Sequence, residues 1–168
     1  LLSQDSEGEF SDVTERVGLD NPVAQAALWV DHEHDGDLDL VLTGANGLQL
    51  FINTSDGAFI ESDEFPAVDA PGVDLVAADF DGNGAIDLAV ATGTGPTARI
   101  DNRRAGRFEL RANPPGPWPS ADVILTEDLD NAGLPDGVLI GPAGLQLMFE
   151  GVSLPTQALG GLAPTTAV

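Results

Sequence analysis

The chain has no cysteine and no lysine, only six basic residues in all, and no apolar run long enough to cross a membrane as a helix. The first absence removes disulfides, thiolate metal sites and a cysteine nucleophile in one step. The second leaves six arginines against 28 acids, a net charge of -22, which opposes binding to nucleic acid or to anionic lipid and favours cationic partners, metal ions first. No stretch of about 18 apolar residues occurs, so membrane insertion is not expected. The N-terminal "LLSQDSEGEF" lacks the basic start and apolar block of a signal peptide. If the protein is exported, its signal is expected outside this chain. What remains is ample for a folded domain: 168 residues with 42% apolar content.

Internal repetition organises the chain. "DHEHDGDLDL" begins at Asp31, "DFDGNGAIDL" at Asp79 and "DLDNAGLPDG" at Asp128, at intervals of 48 and 49 residues. Phe10, Phe59 and Phe108 are each 49 apart, Asn53 matches Asn102, and "GLQLFIN" at 47 returns as "GLQLMFE" at 144. Each period reads as four short strands, because β-branched and apolar runs alternate with Gly, Asn, Asp and Pro. The first set is Ala26–Val30, Leu38–Thr43, Leu48–Asn53 and Ala58–Glu61. The second is Leu75–Ala78, Ile86–Thr92, Thr97–Asp101 and Arg107–Ala112. The third is Val123–Thr126, Val138–Ile140 and Leu145–Phe149, with a degraded fourth strand in "GVSLPTQALG".

A period near 48 with four strands per unit predicts an all-β fold, a β-propeller fragment of about three four-stranded blades. The expected boundaries are the end of a preceding blade at 1–20, blades at 21–69, 70–118 and 119–160, and the start of a next blade at 161–168. Pro-rich "NPPGPWPS" at 113–120 is expected to be a rigid inter-blade connection. Three blades cannot close a ring, so a fragment or an open array is expected, completed by further blades or another subunit.

The acidic loops carry the chemistry. Oxygen side chains stand at positions 1, 3, 5 and 9 and glycine at position 6, a spacing that lets alternating donors converge while the chain reverses. A hard cation with about six to eight oxygen ligands, Ca2+ above all, suits such a set. In the second loop the candidate ligands are Asp79, Asp81, Asn83 and Asp87, with the carbonyl of Ala85. In the first they are Asp31, Glu33, Asp35 and Asp39, with the carbonyl of Asp37; Glu33 is longer than the aspartates and shifts the geometry. The third has Asp128, Asp130 and Asp136 with the carbonyl of Leu134, but Ala132 removes the fifth-position ligand. Two occupied sites are thus expected, with the third weak or empty. An EF-hand is excluded, because its bidentate Glu is replaced by Leu42 and Val90 and its flanking helices by strands. A merely solvated acidic turn is the competing reading of any one loop, and recurrence at a fixed period argues against it.

These loops, the hairpins "TGANG" and "TGTGP" and the segment "GEFSDVTERVGL" resemble the FG-GAP/VCBS repeats of integrin-α-like propellers, especially the group similar to cartilage acidic protein. The resemblance covers nearly the whole chain. It implies a calcium-stabilised propeller, commonly of seven blades, in extracellular, cell-surface or periplasmic proteins that serve adhesion or recognition of protein or glycan partners.

Other residues invite weaker readings. His32 and His34 occupy even loop positions and are expected to be exposed spacers rather than transition-metal ligands. Arg99, Arg103, Arg104, Arg107 and Arg111 crowd one predicted hairpin, where balancing neighbouring carboxylates is the expected role. Trp29 and Trp118 are expected to pack between blades. No nucleophile and base pair can be nominated, so no enzyme is expected; the alternative is a segment of a carbohydrate-active enzyme, a polysaccharide lyase or glycosidase that uses paired acids.

Overall fold

The computed structural model describes residues 1–19, 23–68, 70–111, 118–149 and 157–158, and among these every regular element is a strand. A short ribbon of β1 (Leu2–Gln4) and β2 (Phe10–Asp12) precedes three four-stranded antiparallel meanders. The first comprises β3 (Ala26–Val30), β4 (Asp39–Gly44), β5 (Gly47–Asn53) and β6 (Phe59–Glu61). The second comprises β7 (Asp74–Ala78), β8 (Asp87–Ala91), β9 (Ala98–Asn102) and β10 (Phe108–Leu110). The third comprises β11 (Val123–Glu127), β12 (Asp136–Gly141), β13 (Gly144–Met148) and β14 (Gln157–Ala158). This is the all-β propeller fragment that the period predicts. The start of a next blade, expected at 161–168, lies outside the described residues, as do most of the Pro-rich connection and most of "GVSLPTQALG".

The first two blades bury both faces of their second strands, which explains why those strands are nearly continuous apolar runs instead of alternating ones. Every residue of β4 and of β8 is buried. Val41 of β4, with Leu48 and Leu50 of β5, meets Leu75, Leu88, Val90, Ile100 and Phe108 of the second blade. Leu40, Leu42 and Phe51 point the opposite way and are covered by Val13, Val17 and Leu19 from the N-terminal segment. In the second blade Ala89 and Ala91 turn toward Trp118, Ala121, Ile124 and Leu139. Small residues at those two places let the third blade approach closely.

The first strands of adjacent blades, β3 with β7 and β7 with β11, lie side by side, the arrangement of innermost propeller strands. One side-chain bond links two of them: the Ile124 amide donates to the Asp74 carboxylate at 2.8 Å. Trp118 packs between blades as expected, edge-on to Phe80 at 5.5 Å and under the Arg99 guanidinium at 4.7 Å. Gly137 makes room for it, since a Cβ there would lie 2.6 Å from the indole. Trp29 departs from expectation. It stays 46% exposed beside Phe59, on a strand whose apolar inter-blade contacts come from Ala26 and Leu28 instead.

Candidate metal-binding loops

All three acidic loops join the first strand of a blade to the second, and all three are wound by the same hydrogen bonds. The first-position aspartate accepts from the amides of the fifth and sixth residues. Asp31 takes Asp35 and Gly36 (both 3.1 Å), Asp79 takes Asn83 (3.0 Å) and Gly84 (2.9 Å), and Asp128 takes Ala132 and Gly133 (both 3.0 Å). The sixth residue must turn with positive φ, and Gly36, Gly84 and Gly133 do so at 94°, 85° and 90°.

The ninth-position aspartate is buried and closes the loop from the strand side. Asp39, Asp87 and Asp136 accept from the amide of the second loop residue, His32 (3.2 Å), Phe80 (3.0 Å) and Leu129 (2.9 Å) respectively. Asp39 and Asp87 also accept from the end of the third strand, at the amides of Asn53 (2.9 Å) and Asn102 (2.7 Å). At the seventh position, where the expected donor is a main-chain carbonyl, the amides of Asp37 and Ala85 bind the fifth-position side chains of Asp35 (2.9 Å) and Asn83 (2.7 Å). Leu134 stands at that place in the third loop and packs toward Gly82 of the second.

Convergence of the acids distinguishes the loops. The carboxylates of Asp79, Asp81 and Asp87 offer oxygens that all lie within 4.8 Å of one another, and so do those of Asp128, Asp130 and Asp136. Oxygens on one shell of radius ~2.4 Å lie no more than about 4.8 Å apart, so neither group is spread too widely to share a single cation. Every donor in them is a hard oxygen, which fits the cation that the loop pattern implies. Burial also leaves a mark at the second loop. Desolvation, reinforced by the charge of Asp81, pushes the Asp87 carboxyl up to about 6 even though two amides donate to it. A divalent ion would remove that penalty by supplying the missing positive charge.

In the first loop Asp31, Glu33, Asp35 and Asp39 do not form such a group, and the two converging sets belong to the second and third loops. The cause is His32. Far from being an exposed spacer, it is buried, with 3% of its surface accessible, and stacks on Phe108 at 6.0 Å. Its Nδ1 bonds the Asp39 carboxylate, and its Nε2 lies 3.1 Å from Glu33. Glu33 is therefore drawn to the imidazole, whereas Asp81 and Asp130 turn inward and accept from the fifth-residue amide at 3.1 and 2.9 Å. His34 is exposed, at a φ of 62°.

Residues 31–90, which span the first two loops and the blade between them, match the family model of an FG-GAP-like repeat. Over that stretch the chain carries an FG-GAP-like repeat. No curated protein matches it. The FG-GAP-like unit accounts for the strand, loop and strand order around Asp31 and Asp79, and the third loop repeats its hydrogen bonding at Asp128 and Asp136.

Two arginines of the hairpin, Arg103 and Arg111, balance acids as its sequence suggests. Arg103 lies 3.3 Å from Asp101, 3.1 Å from Glu109 and 4.0 Å from Asp81, and Arg111 lies 3.0 Å from Asp101. Asn102 is a junction that sequence alone did not mark as functional. Its backbone carbonyl accepts from the Asn83 side chain (3.0 Å), and its own amide group reaches the His32 carbonyl in the neighbouring blade (2.9 Å). The signal was present in the 49-residue recurrence of Asn53 and Asn102, whose Nδ2 groups both bond a first-loop carbonyl, Leu38 in the case of Asn53 (3.2 Å).

Proposed function

We propose that this FG-GAP-like repeat module binds calcium structurally and serves extracellular interaction or adhesion, with a protein or glycan as its partner. One observation carries the metal reading: two separate triads of aspartates, 49 residues apart, gather their oxygens within 4.8 Å. Carboxylates gathered so closely repel, and a divalent ion that binds only the gathered form adds its binding free energy to folding. Calcium is a scaffold ion in this reading, with no catalytic part. The acids it would touch are already committed to winding their loops, and the occupied sites would be the second and third.

Typical affinities of such sites support export. Extracellular calcium modules typically bind with constants of ~10⁻⁴ to 10⁻³ M, matched to calcium outside cells. Among the described residues no helix is long and apolar enough to cross a membrane. The charge of -22 supports a partner that is neither nucleic acid nor an anionic membrane. Further blades or another subunit would cover the exposed Val123, Leu125 and Ile140, which share one face of the third blade.

The deciding experiment is thermal unfolding in millimolar calcium, in millimolar magnesium and in excess chelator. Calcium is expected to raise the midpoint well above the other two conditions; superimposable curves would refute the metal reading. A glycan array and a pull-down from extracellular matrix, each with and without chelator, test the interaction role.

A further inference from the structure

In each of the first two blades the hairpin joining the third strand to the fourth bends back over the acidic loop of its own blade. Ser55 in the first blade has a φ of 62°, and its hydroxyl donates to the Asp37 carboxylate. A shift of 49 residues leads to Arg104, with a φ of 70°, whose Nη2 donates to the backbone carbonyl of Asn83. Arg103, one residue earlier, places Nη1 4.0 Å from Asp81 while its other nitrogens hold Asp101 and Glu109. A neutral contact in one blade is thus replaced by two fixed cations in the next.

The hairpin is anchored from the far side as well. Arg104, Ala105 and Gly106 follow one another at φ values of 70°, 52° and 72°, a run that two non-glycine residues adopt only under tertiary constraint. Gly106 lies against His32 of the first blade, where a Cβ would meet the imidazole at 2.9 Å, and Asn102 bonds the His32 carbonyl. Both arginines are consequently aimed at the second loop by contacts on either side of the blade junction. The third loop differs, since Asp128 and Asp130 make their described bonds to backbone amides.

We propose that Arg103 and Arg104 are a built-in counter-charge for the second loop, holding its acids together without an ion and lowering its affinity for a divalent cation. This rests on the calcium reading above. Arg103 offsets part of the charge of Asp81 and Arg104 sets a second positive charge on the Asn83 carbonyl of the same loop, so an incoming ion meets a less negative site and two positive neighbours. The second loop, whose sequence looks the more complete, would then fill at higher calcium than its donor set alone dictates.

The test is a calcium titration of the whole chain followed by proton–nitrogen NMR, reading the Gly84 amide for the second loop and the Gly133 amide for the third. Arg103→Gln/Arg104→Gln is expected to lower the Gly84 midpoint about three- to tenfold at low ionic strength and to leave the Gly133 midpoint in place. The gain should shrink to under about twofold in 1 M sodium chloride, where the Debye length is ~3 Å. Arg104→Ser, which places the first blade's residue type at the tip, is the milder variant should the double change unfold, with roughly half the gain on a logarithmic scale. Equal Gly84 midpoints in variant and parent overturn the counter-charge and leave the calcium reading intact. A Gly84 response in the variant alone supports the proposal in its strongest form. If neither protein responds while both are folded, both readings fall.

Discussion

The first and second acidic loops share a backbone course and differ in what occupies their centres. Both are wound by a leading aspartate around a glycine turn, and both are closed by a buried aspartate that ties the loop to the third strand. In the second, three carboxylates face one another with no side-chain cation closer than Arg103 at 4.0 Å from Asp81 among the described contacts. In the first, an imidazole sits between Asp39 and Glu33 and takes the hydrogen bonds that an ion would otherwise compete for. The lesson is that loop conformation and the gathering of the acids are separable. Backbone amides suffice to wind the turn, and in the first loop the second residue, His32, draws Asp39 and Glu33 to itself so that the acids do not converge.

The largest expected effect tests what the two loops share. Asp87→Ala removes the acceptor of two buried amides, Phe80 and Asn102, and is expected to destabilise the chain by ~2–4 kcal/mol whether or not calcium is present. Asp39→Ala should behave alike by chemical denaturation, since it too holds two amides; a small loss at either place would mean that the closure is not structural. Next in size is the difference between the loops. Asp81→Ala is expected to cut the calcium-dependent gain in stability by ~1–2 kcal/mol at saturating calcium, while Glu33→Ala should leave that gain nearly unchanged. Equal losses in calorimetry with and without chelator would erase the distinction drawn here.

Acidity supplies a third handle. The native Asp87 carboxyl keeps its proton up to about 6, whereas the ordinary value is 3.8, so between those values the native state binds more protons than the unfolded one. Without calcium, stability should therefore rise by ~1 kcal/mol as pH falls from 7 to 5, and Asp87→Asn should flatten that trend in chelator-treated melts. The smallest expected change is a gain. Ala132→Asp restores an oxygen at the fifth position of the third loop and should strengthen calcium-linked stabilisation there by about 0.5–1 kcal/mol, read at the Gly133 amide.

Much of this was legible in the order of residues. The recurrence of Asp31, Asp79 and Asp128 exposed the period, and the apolar runs after each loop located β4, β8 and β12 to within a residue or two, because strand position follows local alternation and turn chemistry. Glycine at the sixth loop position announced the turn, and its positive φ follows. His32 was misread because an even loop position predicts only the starting direction of a side chain. Its burial depends on Phe108 and Gly106, more than seventy residues along the chain. The ranking of the loops shifted for a similar reason: Ala132 costs the third loop a donor, yet its remaining acids still meet, whereas the first loop has a full set that the imidazole diverts.

The sequence alone determined the periodic unit, from its recurrence, and the four strands and the oxygen-rich turn between the first two, since each strand and turn depends on residues within about ten positions of one another. Only the tertiary structure decided which turns gather their acids, that a histidine sits among the acids of one of them, and that two arginines bend over another. Those outcomes depend on contacts between strands and blades more than about twenty residues apart in sequence, where packing and desolvation rather than spacing determine where a side chain comes to rest.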